Sequence, residues 1–365
     1  MATQTEGVKG RGELPARVLA AQLGLSEAFE RVRANNGMAG ADGVTVARFA
    51  RQAAANLRAL QAGLANGSYV PWPLRLCETS KKSGLSSRML LIPVVGDRVI
   101  QTAVAQWIGP RFEKEADPSS YAYRPGRGVA DALRALRSLR EQGFRWVLDA
   151  DIRGFFDNID HELLLGRLRE WLGAGSAMVQ WVALWLRGPV WDGTGLYRLE
   201  GGVAQGSPLS PVLANLYLDV FDRRLRSGGL RFIRYADDFL VLARSPFELE
   251  EIRRTIEREL AGLRLELSGD KTRATSFGAA FRFLGAEVKD EAILLPFEKP
   301  RPEKKPIFVA PPMPPAIQAL YRRGHWGAYP PFVWQPRPVE VEDEDERAQV
   351  TGDPRVYDAL RKVVR

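Results

Sequence analysis

Two adjacent carboxylates, Asp237 and Asp238, interrupt an apolar, β-prone run from Phe232 to Ala243. The apolar residues on both sides predict two short strands joined by a tight turn. Burying one unpaired carboxylate costs several kcal/mol, and burying two side by side costs more. Such a pair persists at an exposed surface turn, or where a cation sits against it. The second case needs another acid. Asp151 supplies one at the end of a predicted strand, Trp146–Ile152, with Asp149 two residues back on the same face. Three carboxylates from two neighbouring strands suit Mg²⁺ or Mn²⁺, hard cations that prefer oxygen. Two such ions about 3.5–4 Å apart can activate an attacking hydroxyl and stabilise a departing oxygen in phosphoryl transfer.

Composition narrows the choice of metal. A single cysteine, Cys77, excludes an internal disulfide and a multi-cysteine zinc site, and only two histidines, His161 and His325, argue against a histidine cage. His161 is placed to begin a helix, and Cys77 reads as inert core. At 365 residues the chain is long enough for two or three modules, and 45% hydrophobic with 26% charged residues is the composition of a soluble globular protein. The 52 basic against 44 acidic residues give a net charge of +8, which favours polyanion partners, above all nucleic acid. Met1 to Glu13 lacks an apolar signal-type core, and no apolar run is long enough to span a bilayer, so no membrane role and a cytoplasmic location are expected.

The elements that must position the acids follow from periodicity and turn residues. Helices are predicted over Ala16–Ala34, Val46–Leu64, Asp97–Ile108, Ala130–Glu141, His161–Trp171, Met178–Leu186, Pro208–Arg226 and Pro246–Leu263. Pro208 is placed in the first turn of its helix. Arg134, Arg137 and Arg140 lie on neighbouring turns, as a solvated face or a phosphate-tracking one. Extended segments are predicted at Tyr69–Leu76, Met89–Ile92, Trp146–Ile152, a hairpin over Pro189–Leu199, and Leu265–Leu267, Ala274–Phe277 and Phe281–Val288. From Ala292 prolines crowd the chain, which reads as a stiff extended linker.

These residues resemble a known family. Tyr235-Ala236-Asp237-Asp238 resembles the Tyr-X-Asp-Asp box of reverse transcriptases. Asp149 to His161 resembles the first catalytic block of the group II intron-type enzymes, and Gly201 to Pro211 resembles their Gln-Gly-Ser-Pro block. Asn36–Gly43, Arg88–Gln101, Tyr121–Arg127, Asp270–Thr272 and Phe281–Gly285 match further blocks in order. The likeness runs from about Asn35 to Gly285, and ordered blocks at these spacings are far more specific than a lone Asp-Asp pair.

The resemblance implies an α+β right-hand polymerase, an antiparallel palm sheet packed on helices with fingers attached. It implies divisions at 1–34 (tail and helix), 35–145 (N-terminal extension and fingers), 146–290 (palm), 291–315 (proline-rich linker) and 316–365 (short C-terminal region). It places metal ligands at Asp151, Asp237 and Asp238, with Ile152 contributing only a backbone carbonyl. Phe156 matches the steric gate that would clash with a 2′-hydroxyl. Lys82 and Arg88 resemble the fingers cations that hold the incoming triphosphate, a job suited to mobile cationic side chains. Gln205 resembles a residue lining the nucleotide pocket, and Lys271 one acting near the leaving pyrophosphate. Tyr235 is placed against the primer end. Arg124 and Arg127 either contact template phosphate or form structural ion pairs.

The implied activity is RNA-directed DNA polymerisation from an RNA template, a DNA or RNA primer and dNTPs. The pattern breaks after Gly285, where no run of three amphipathic helices follows, so a thumb is not evident. Relatives without the longer C-terminal domains include reverse transcriptases linked to CRISPR adaptation and other defence systems. Trp326, Trp334 and the acid run Glu342–Glu346 would then dock a partner such as a Cas1-like integrase. Two alternatives stand beside this reading. Phe156 argues against an RNA-dependent RNA polymerase, and the three acids argue against an inactive nucleic-acid-binding scaffold in a CRISPR adaptation complex.

Overall fold

Apolar spacing and turn residues place most of the elements, and the computed structural model, which describes residues 14–80, 87–290, 292–294, 306–323 and 332, shows how they assemble. The first predicted helix is two, α1 (Ala16–Gln22) and α2 (Leu25–Asn35), because Leu23 turns extended and Gly24 restarts the chain. The second predicted helix also divides, into α3 (Val46–Ala50) and α4 (Ala53–Asn66). Thr45 caps α3 through its side-chain oxygen, and Gly67 closes α4 at φ 78°, a left-handed position that glycine adopts freely. Strands β1 (Leu74–Ser80) and β2 (Ser87–Ile92) pair antiparallel, and α5 (Val95–Glu113) follows.

Next come α6 (Val129–Glu141), β3 (Trp146–Asp151), α7 (His161–Leu172) and α8 (Ala177–Leu186). The predicted hairpin is present as β4 (Pro189–Trp191) and β5 (Leu196–Arg198). Then α9 spans Ser210–Ser227, and Pro211, rather than Pro208, occupies its first turn. Strands β6 (Arg231–Tyr235) and β7 (Asp238–Ala243) form the hairpin with the acid pair, followed by α10 (Glu248–Ala261) and β8 (Arg273–Ser276). A meander of β9 (Phe281–Phe283), β10 (Ala286–Lys289) and β11 (Ala292–Leu294) precedes β12 (Pro306–Val309) and α11 (Pro315–Arg322).

The palm is the antiparallel sheet β6-β7-β3-β8. Alternate residues of β7 enter different cores: Phe239, Val241 and Ala243 join the main core with helices α9 and α10, while Leu240 and Leu242 join a second core with α6, β9 and β10. Covering both faces explains why this strand reads as an unbroken apolar run rather than an alternating one. Leu249, Ile252, Ile256 and Leu260 form the buried stripe that seats α10.

The expected linker over 291–315 is a correction. Part of it is structure: β12 pairs antiparallel with β1, and Ala310 and Met313 are buried in a third core with Leu74, Leu76, Leu91 and Trp191. Prolines suit an edge strand, since their missing N–H faces away from the ladder. Met313 N donates to Ala41 O at 2.7 Å, Trp191 Nε1 to Pro311 O at 2.7 Å, and Tyr321 Oη to Pro71 O at 2.8 Å. This segment therefore straps the sheet of β1, β2, β4 and β5 to the loop around Ala41. Trp326, Trp334 and the acid run fall outside the described residues.

Candidate active site

Strand register brings the acids together. Asp151, the last residue of β3, lies directly opposite Asp238, the first of β7, and Asp238 faces Tyr235 across the hairpin. Asp237 and Ala236 form the two-residue turn, with Ala236 at φ 61°. Left-handed alanine is strained and persists only where its surroundings over-determine it. Arg234 does this. Only 1% exposed, it pairs with buried Asp222 of α9 through Nε at 2.7 Å and donates Nη1 to Ala236 O at 3.0 Å and Asn215 Oδ1 at 3.2 Å. From the other side, Ile152 N donates to Asp237 O at 3.4 Å. The Ile152 side chain is itself core.

Asp151 is buried, and Lys271 Nζ lies 2.6 Å from its Oδ2. Burial, then the charge of Asp237 and the bond and charge of Asp151, push Asp238 up to about 7, although its side chain keeps solvent access. Asp237 is also raised, by burial first and then by the Asp151 charge, with Lys271 and Arg88 opposing. Partial burial alone would lower Lys271, but the bond to Asp151 and the three carboxylate charges outweigh it and raise the ammonium above its ordinary range. Asp149 does not join the group: Arg273 holds its carboxylate at 3.0 Å.

The donor set fits a hard divalent cation. It is oxygen only, and burial first, then the neighbouring carboxylate charges, raises Asp237 and Asp238, a cost that a cation would relieve. Among the described residues no group of three His, Cys, Asp or Glu is gathered closely enough to chelate an ion, and the Lys271 ammonium provides the counter-charge in this arrangement.

Around the acids, Phe156 is half-buried in a short 3-10 turn, its ring 5.3 Å from Phe155 and at 66° to it. Its carbonyl accepts from Val203 N at 2.8 Å, which joins the first catalytic block to the Gln-Gly loop. Gln205 donates Nε2 to Asp157 Oδ1 at 3.0 Å, and its carbonyl accepts from Leu91 N at 2.9 Å. The next residue, Gly206, sits at φ 134°, where a Cβ would lie 2.8 Å from Leu91 O. Only glycine allows this close contact between the palm loop and β2. Arg88, exposed on β2, is near enough to lower Asp237 and Tyr123. Tyr235 is half-buried beside Asp238. Lys82 lies outside the described residues.

Arg124 and Arg127 both make contacts within the fold. Arg124 is buried, with Nε and Nη2 on Glu113 at 2.8 Å each and Nη1 on Ser120 O at 2.7 Å, so its donors are committed away from any template. Arg127 donates to Pro118 O at 2.7 Å and faces Glu113 at 3.5 Å. On α6, Arg134 pairs with Asp131 at 2.7 Å and Arg140 lies over the Phe277 ring. His161 begins α7, and its Nε2 contacts Gly202 O at 2.7 Å. Two residues near the acids went unassigned in the sequence, Arg234 and Tyr123. The signal for Arg234 was a charge inside a strand that is otherwise apolar, which must find a partner when buried.

Residues 80–288 match the family of reverse transcriptases (RNA-dependent DNA polymerases). The chain belongs to this family. The protein YkfC of Escherichia coli is 30% identical over 67% of this chain and 74% of its own length. The group II intron-encoded protein LtrA of Lactococcus lactis is 33% identical over 47% of this chain, but the match spans only 28% of LtrA. Among solved structures, a chain of a Cas6-RT-Cas1–Cas2 complex matches with a TM-score of 0.42 and 24% identity, covering 69% of this chain and 42% of that one. No helix among the described residues is long and apolar enough to cross a membrane.

Proposed function

We propose that this reverse transcriptase extends a DNA or RNA primer on an RNA template with dNTPs, at the site formed by Asp151, Asp237 and Asp238. The observation that carries it is the register of β3 and β7, which sets Asp151 opposite Asp238 with Asp237 in the adjoining turn. These carboxylates would hold Mg²⁺ or Mn²⁺, which when bound supplies an activated primer hydroxyl and charge for the departing pyrophosphate. Arg88, with Lys82, holds the triphosphate, Phe156 lies under the sugar, and Gln205 lines the pocket. Lys271 carries a proton on Nζ at the edge of the acids, placed to meet the leaving group. Tyr235 supports the primer end.

The test is extension of a labelled primer on RNA and DNA templates, with dNTPs and separately with NTPs, in Mg²⁺ or Mn²⁺. Wild type should extend with dNTPs, and Asp238→Asn should fall by at least about 100-fold. A wild type that binds duplex without extending it would favour the inactive scaffold, and equal use of NTPs would favour an RNA polymerase. Service to CRISPR spacer acquisition or another defence pathway, through an integrase docked on the C-terminal region, belongs to the same proposal. Its support is the family resemblance, and co-purification without such a partner would remove it.

A further inference from the structure

Tyr123 is an aromatic residue without an obvious reason for its conformation. It is 51% exposed, and its backbone is left-handed at φ 60°. A bulky residue gains nothing from that region by itself, so its neighbours must hold it there. Ala122 is fully buried, and its carbonyl accepts from Asn215 Nδ2 at 2.8 Å. Arg124, on the other side, is the buried arginine tied to Glu113 and Ser120. The strained tyrosine thus lies between two fixed neighbours.

Those neighbours tie its loop to the strand that leads into the acid turn. Tyr121 N donates to Arg234 O at 2.9 Å, and Arg234 N donates to Ser119 O at 2.8 Å. Together they form a parallel bridge between Ser120 and Arg234 along β6, the edge strand of the palm sheet. The chain turns at Ala122 and Tyr123, just as β6 turns at Ala236 and Asp237. Electrostatics agree: partial burial raises the Tyr123 phenol, then Asp237 and Tyr235 raise it further, while Arg88 lowers it least of the four. The same Arg234 guanidinium holds Ala236 O and Asn215, so one buried side chain fixes both the tyrosine loop and the acid turn.

We propose that Tyr123 is a second aromatic contact, beside Tyr235, for the growing end of the primer–template duplex. This rests on the polymerase reading of the aspartate site. An exposed ring is suited to the task because sugars and base faces are apolar and alike for every sequence, so contact does not select among them. The nearness of Arg88 leaves the base of the incoming nucleotide as the rival occupant.

The experiment compares the full-length wild type with Tyr123→Phe, Tyr123→Leu, Tyr123→Ala and Tyr123→Gly. Affinity for a labelled DNA primer annealed to an RNA template is read by fluorescence anisotropy without nucleotide. Extension then gives kcat and KM for dNTP, and thermal melting checks the fold. The Leu, Ala and Gly variants should weaken duplex binding about tenfold, with Phe near wild type. The Gly variant, relieved of backbone strain, should melt no lower than wild type and still bind weakly, which separates loss of the ring from loss of fold. Duplex affinity within twofold of wild type in the Ala and Gly variants would overturn the proposal. So would a loss confined to KM for dNTP, which would give the ring to the incoming nucleotide. Asp238→Asn keeps the two readings apart: it should bind duplex normally and not extend it, whatever Tyr123 does.

Discussion

Lys271 places its ammonium 2.6 Å from Asp151 Oδ2, although its own side chain is 64% exposed. An exposed partner makes the pair weak as a structural bond, at most about 1 kcal/mol. On the proposed reading, its location among three acids serves the leaving group. Lys271→Ala should therefore leave the melting temperature within a few degrees while lowering kcat about 100-fold, the usual scale for a lost proton donor. Lys271→Arg should recover part of that loss. A large fall in melting temperature with kcat unchanged would make the lysine structural.

Phe156 rests on Phe155 and is partly buried, with the remainder of the ring open. A ring supported from behind and open in front can oppose an added hydroxyl without being displaced. Phe156→Ala should raise ribonucleotide incorporation relative to deoxyribonucleotide by about tenfold or more, since removal of a packed ring relieves a clash worth about 1.4 kcal/mol or more. Competition between each dNTP and its NTP at a single template position measures it. Unchanged sugar selectivity would return Phe156 to the core.

The palm was legible because its chemistry and its strands share one stretch. Asp237 and Asp238 in an apolar run predicted both the hairpin and the acid pair, and β3 was read from its apolar residues, with Asp151 at its end. The fingers were less legible. Leu23-Gly24 ends a helix only because Leu23 turns extended there, which local periodicity does not show. The prolines after Ala292 suggested a linker because composition records stiffness and is blind to an edge strand that another part of the chain provides. Arg124 belonged to a matched block yet is committed to Glu113, a contact set by packing between α5 and the loop after it.

Gly206 shows a constraint that spacing alone could not reveal. At φ 134°, with Leu91 O 2.8 Å from where a Cβ would stand, an alanine there must push β2 away. Gly206→Ala should cost about 1–3 kcal/mol and displace Gln205, raising KM for dNTP. Gly166 is the control, since it lies in α7 with open space around its Cβ position, and alanine there should hold or raise stability. Chemical denaturation and steady-state kinetics of both variants decide, and equal behaviour would refute the close-approach argument.

Asp97 gives the fold a pH dependence. It is buried, accepts from Tyr69 Oη at 2.7 Å and Trp72 N at 2.8 Å, and is pushed up to about 7 by burial first, with the Asp42 charge adding. Its folded value exceeds the unfolded value of 3.8, so the native state holds a proton that the unfolded chain releases. Stability from this group is therefore greatest below about 4 and is lost as pH rises toward about 7, with a slope of at most about 1.4 kcal/mol per pH unit. Asp97→Asn should flatten the urea-denaturation free energy between these values, though it also loses the bond from Trp72 N. An identical slope in wild type and variant would mean that the carboxyl is ionised in the fold.

Cys77 reports on the strap formed by residues 306–313. It is 1% exposed and pairs with Val309 of β12, and burial raises its thiol. The covering rests on Met313 and Ala310 in the third core and on Ala310 N donating to Leu76 O at 2.9 Å. A chain ending at residue 305 would leave the Cys77–Thr79 ladder edge open and remove those buried groups. Met313→Ala alone should cost about 2–5 kcal/mol by leaving a cavity. In native buffer the full chain should resist an aromatic disulfide reagent at Cys77, the single cysteine, while the shortened chain reacts within minutes and melts at a lower temperature. Protection of Cys77 in a shortened chain that remains folded by circular dichroism would show that β1 is covered without β12, and that the strap contributes nothing to holding the fingers.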